Sequence, residues 1–105
     1  MPSAPPPAPS LADIIVDRTL RQLYDRLIDA LRGLHADVAV SESAVEARAE
    51  YDGRTLCRIV PYRELVHVQV GDPRVWEIRV RDTAGFHEVL DRILRTFLEL
   101  TVAAE

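Results

Sequence analysis

An α+β fold of order α-β-β-β-β-α is predicted by three features of this 105-residue sequence. Apolar residues recur at helical spacing in one stretch near each end. Between them the period drops from 3.6 to 2, as in strands with one wet face. Turn-forming residues at Asp52-Gly53, Pro61-Tyr62-Arg63-Glu64 and Gly71-Asp72-Pro73 cut that middle into short pieces. The fold expected is an antiparallel meander with two helices packed on its apolar face.

Residues 1–9 hold five of the seven prolines and are expected to be a disordered, polyproline-like tail, with the domain proper over 10–102. Ser10 with Asp13 resembles a capping box and is expected to open a first helix over 11–32. Its stripe is Leu20, Leu23, Tyr24, Leu27, Ile28 and Leu31, and Gly33 is its stop. At 1.5 Å per residue that helix would run ~33 Å, longer than the ~20–23 Å of a six- or seven-residue strand. Its first turns, with Leu11, Ile14, Ile15 and Val16, would then overhang the sheet.

Strands are expected at 45–51, 55–60, 65–70 and 75–81, and the stretch Asp37–Val40 is left open as a further edge strand. A strict two-residue turn at Asp52-Gly53 would place Arg58 among core residues, so a three-residue loop is expected there. With the other loops at 61–64 and 71–73, one face reads Ala49-Cys57-Val68-Trp76 and Ala47-Ile59-Val66-Ile78. The opposite face then carries Arg48-Arg58-His67-Glu77 as one row. Asp82 or Thr83 is expected to cap the last helix, whose stripe is Phe86, Val89, Leu90, Ile93, Leu94, Phe97 and Leu98.

The hairpin Tyr51-Asp52-Gly53-Arg54-Thr55-Leu56-Cys57-Arg58-Ile59, with the order of elements over roughly 43–100, resembles the small bacterial YdhG-like and YjbR-like domains. Ala49-Glu50 stands where YdhG-like chains often carry a Gly-Met-Pro stretch. The resemblance implies a short antiparallel sheet closed by a C-terminal helix and, on the YjbR-like side, DNA binding. It carries no functional residue over to this chain.

Seventeen acids against thirteen bases give a net charge of −4, which argues against coating nucleic acid or an anionic membrane by bulk charge. All thirteen bases are arginine, and they are scattered. The single cysteine, Cys57, cannot form an internal disulfide, and with neither a membrane-length apolar run nor a signal-peptide pattern a cytoplasmic protein is expected. Cys57 falls on the expected core face, where a thiol is inert. His35, His67 and His87 lack metal-ligand spacing, and four dispersed glycines make no phosphate loop. No catalytic residue, metal site or cofactor is implied.

Two binding surfaces remain. Arg48, Arg58, His67 and Arg79, with Arg81 beside them, could hold a phosphate or carboxylate through charge-assisted hydrogen bonds. Ile14 and Ile15 on the overhang, with Leu56, Val60, Leu65 and Val75 on the outer sheet face, mix apolar residues with arginine as interfaces do. The expected function is an interaction module that pairs with a second copy of itself. A nucleic-acid or anion binder using the Arg/His row is the alternative.

Overall fold

A computed structural model describes residues 11–71 and 74–103. The expected Pro-rich tail, the capping role of Ser10 and the turn residues Asp72 and Pro73 lie outside the described residues. The chain forms a five-stranded antiparallel meander in the order β1 (Val38–Glu42), β2 (Ala47–Tyr51), β3 (Arg54–Pro61), β4 (Val66–Val70) and β5 (Trp76–Val80). Helix α1 (Arg18–Arg32) precedes the sheet and α2 (Thr83–Ala103) follows it. The α+β architecture is as the sequence predicts, and the open stretch at Asp37–Val40 becomes β1. The core lies between the helices and one sheet face, built by Ala47, Ala49, Cys57, Ile59, Val66, Val68, Val70, Ile78 and Val80 against the helical stripes.

The first helix is not continuous over 11–32. Leu11–Ile14 form a short 3₁₀ turn, and α1 starts only after Asp17, whose carboxylate accepts from the Leu20 N–H at 2.8 Å. Between them the chain folds back. The Val16 N–H donates to the Arg63 carbonyl at 2.8 Å, and Arg21 donates through Nε and Nη2 to the Ile15 carbonyl at 3.2 and 2.8 Å. The predicted overhang is thereby removed: Leu11 and Ala12 are buried and Ile15 is 0% exposed. Burying one isoleucine is worth about 1.5–3 kcal/mol, and together with the Val16 and Arg21 hydrogen bonds it offsets the helical bonds given up at the break, each worth about 0.5–1.5 kcal/mol. Ile15 therefore cannot be an interface residue, whereas Ile14 and Val16 do face outward.

The β2–β3 hairpin shows how a short turn and an outward Arg58 coexist. Asp52 and Gly53 have φ of 52° and 75°, and Tyr51 pairs directly with Arg54. This is the two-residue turn of the primed type, whose twist suits a hairpin. The register then slips by one residue between Ala49 and Glu50, so that Ala49 still meets Cys57 and Arg48 still meets Arg58. The bulge leaves Leu56 without a β2 partner and turns it into the core beside Cys57, both 0% exposed. Leu56 is consequently not on the outer face, contrary to expectation.

Farther along, the pairing shifts by two residues from the predicted one. Pro61 stays in β3 as its last paired residue, opposite Val66, and the connection is 62–65, closed by the Tyr62 N–H on the Leu65 carbonyl at 2.8 Å. A strand end asks no ladder N–H of its last residue, so β3 runs through Pro61 and past the break that proline signals. Cys57 thus meets Val70, Ile59 meets Val68, and Val70 meets Trp76. A two-residue shift preserves the faces but changes the neighbours.

Asp82 caps α2, accepting at Oδ1 from the Gly85 N–H at 3.0 Å. Phe86, Val89, Ile93 and Phe97 are buried as expected, with Leu90 partly so. Leu94 and Leu98 are instead 49% and 60% exposed, and Thr96 and Leu100 take the inward places. The sheet lies more to the Thr96 side of the helix than the apolar stripe implied, because α2 packs on β3, β4 and β5 while α1 covers β1.

Candidate functional site

Two surfaces carry chemistry. The first is the outer sheet face, which no helix covers. The predicted row does not exist as a row: Arg48 meets Arg58, Arg58 meets Gln69, and Gln69 meets Glu77, while His67 lies between Val60 and Arg79. The two-residue shift thus divides the four candidate anion ligands into Arg48 with Arg58 and His67 with Arg79, about 7 Å apart along the strands.

Glu46 occupies the space between the first two. It accepts from Arg58 Nε at 2.8 Å and from Arg48 Nη2 at 3.4 Å, and Arg48 Nη1 lies 3.9 Å from Glu50. The Arg58 hydrogen bond holds the Glu46 carboxyl below the usual carboxylate range, and Glu46 in turn raises the Arg58 guanidinium. A carboxylate of the chain itself therefore fills the fork that a bound anion would need. Water screens such surface pairs, so they set the geometry of this face more than its stability. Gln69 donates to Glu77 at 3.1 Å beside them. His67 and Arg79 line a separate shallow hollow with Tyr62 and Leu65. Val60 and Leu65 are partly buried within this face, and Val75 is exposed at its margin.

The second surface lies at the end of the sheet where the β2–β3 and β4–β5 connections meet the C-terminal half of α2. There Arg54, Gly71, Arg74, Trp76, Arg92 and Thr96, with Glu99, Leu100 and Ala103, line a cavity of about 330 Å³. Trp76 is not the core residue expected. It shares the helix-facing side with Ile78 and Val80, but β5 is the sheet edge and its indole is 44% exposed. The Arg92 guanidinium carbon sits 3.9 Å from the indole centroid and that of Arg74 6.0 Å. Gly71 has φ 108°, and a Cβ there would collide with the Arg74 carbonyl, so the β4–β5 connection depends on glycine to bring Arg74 to this end.

The sequence pattern places Trp76 in the core and so conceals this cavity. A signal was nonetheless present: alternate turns of a meander lie at one end of the sheet, and Asp52-Gly53-Arg54 and Gly71-Asp72-Pro73-Arg74 both finish in arginine.

Elsewhere, burial pushes the Cys57 thiol up to about 12, so the thiol stays protonated. His35 packs against Tyr51 and Phe97, with ring centroids 5.7 Å from each, and its Nδ1 accepts from the Asp37 N–H at 3.0 Å. Among the described residues no group of three His, Cys, Asp or Glu is placed to hold a metal ion, and no helix is long and apolar enough to cross a membrane. Neither a protein-family model, nor a curated protein, nor a solved structure matches the chain.

Proposed function

We propose that this chain is a non-enzymatic interaction module whose outer sheet face pairs with the same face of a second copy. The observation that carries this reading is the composition of that face. Arg48, Arg58 and Arg79 are balanced there by Glu46, Glu50 and Glu77, around Val60 and Leu65. A two-fold pairing brings each surface against itself, so a patch with equal numbers of both charges around apolar residues is self-complementary, which a uniformly basic patch is not. The same balance disfavours a polyanion, since neutralising phosphates requires surplus positive charge. Exposure alone would not carry the reading, because antiparallel sheets commonly leave one face to water.

The test is sedimentation equilibrium and native mass spectrometry at tens of micromolar protein. A dimer is expected, dissociated by Leu65→Glu or Val60→Asp and not by Ile14→Ala. A monomer at that concentration would overturn the reading. So would salt-sensitive binding of single- or double-stranded DNA that Arg58→Ala abolishes, which would favour the alternative of an anion-binding outer face.

A further inference from the structure

We infer that the cavity bounded by Arg54, Arg74, Trp76 and Arg92 is a binding site for a small organic oxyanion, a phosphate ester or a carboxylate. Three guanidinium groups from three separate elements line one hollow: Arg54 opens β3, Arg74 precedes β5, and Arg92 projects from the middle of α2. Like charges gathered in this way repel one another, and a fold ordinarily relieves that by supplying carboxylates. Among the described residues Glu99 is the one acid in the lining, and it pairs with none of the three. Among the described residues no ion pair or hydrogen bond engages the guanidinium of Arg54, Arg74 or Arg92, although those of Arg48, Arg58 and Arg95 are all paired. With Glu99 counted, the lining has a formal charge of +2.

Trp76 supplies the second part of the argument. A guanidinium stacked over an indole gives its face to the ring and keeps its N–H edge free for in-plane acceptors. The Arg92 guanidinium carbon lies over the ring, 3.9 Å from its centroid, and the residue is half-buried by its neighbours. The rotamer freedom that a surface arginine would lose on binding a ligand is thereby already reduced. A held fork with two further cations at its rim is the arrangement that recognises a phosphate or carboxylate by paired N–H···O bonds. The hollow, at about 330 Å³, is at the lower end of the volumes that hold small molecules. Leu100 and Ala103 add an apolar wall, suited to a ligand with a short carbon body behind its anionic group.

The site is independent of the outer sheet face, so it stands or falls separately from the pairing proposed above. Trp76 is the only tryptophan of the chain, and its fluorescence therefore reports this cavity alone. The full chain would be titrated with inorganic phosphate, glycerol 3-phosphate and succinate at constant ionic strength against chloride, by fluorescence and by calorimetry. Saturable binding of at least one is expected, weakened about tenfold or more by Arg92→Gln and by Arg54→Gln, and unchanged by Arg79→Gln on the outer face. Arg54 does not stack on the indole, so its variant keeps the test valid if Arg92→Gln disturbs the fold. Binding of the phosphates alone would assign a phosphate ester, and binding of succinate alone a carboxylate. Three results would overturn the inference: no saturable change with any probe up to about 10 mM, binding insensitive to both arginine variants, or binding of a DNA oligonucleotide but of none of the small anions.

Discussion

Replacing Ile15 with alanine probes the step at which the chain turns back before α1. Ile15 is 0% exposed, and the change deletes three carbons from a closed site. Transfer at about 0.8 kcal/mol per carbon gives roughly 2.4 kcal/mol, and a partly relaxed cavity raises the loss to about 3 kcal/mol. Ile14 precedes it in the chain but is 37% exposed, so Ile14→Ala should cost about 1 kcal/mol. With a urea m-value of about 1.5 kcal/mol/M, the midpoint should fall by about 2 M for Ile15→Ala and by less than about 1 M for Ile14→Ala. Urea titrations of both variants at one fixed protein concentration make the comparison. Equal shifts, or a larger one for Ile14→Ala, would refute the reasoning, because a continuous overhanging helix has no cause to distinguish the two in this direction.

Three further outcomes are expected. Cys57 should resist thiol reagents in the folded protein and react only as fast as the chain opens; since folding raises its pKa from 9.0 to about 12, its contribution to stability is intact below about pH 9 and is lost as pH rises through that window, which thermal melts of wild type and Cys57→Ala would compare. Glu46 has the opposite sign: its carboxyl is depressed by Arg58, so Glu46→Gln should be less stable than wild type above about pH 4.5, and the two urea midpoints should converge as pH falls below it. Gly71→Ala should cost more than Gly53→Ala, by calorimetric melting, because both need positive φ but only a Cβ at Gly71 meets backbone, the Arg74 carbonyl; the strain alone is about 1–3 kcal/mol.

The elements were legible because they are written in local periodicity. Leu20, Leu23, Leu27 and Leu31 mark α1, and Ala47, Ala49, Ile59, Val66 and Val68 mark the inward side of the sheet, because burial of one face selects every second or every third to fourth residue. The β1 strand was less legible, since two valines, Val38 and Val40, alternate with Ala39 at a sheet edge. Pro61 misled for the opposite reason, a local strand-breaking signal at a position where the ladder asks nothing of it.

By itself the sequence determined the fold class, the inward face of the sheet and the core position of Cys57. Each of these depends on side-chain polarity at short range, which is independent of how distant elements settle. Only the tertiary structure decided the break before α1, the bulge at Leu56, the two-residue register shift that separates Arg58 from His67, and the exposure of Trp76 under Arg92. Those follow from competition among distant groups for burial and hydrogen bonds: Arg63 for Val16, Arg21 for Ile15, α2 for the indole. Both proposed surfaces lie on that side of the division, because a site is made by residues that the chain brings together from different elements.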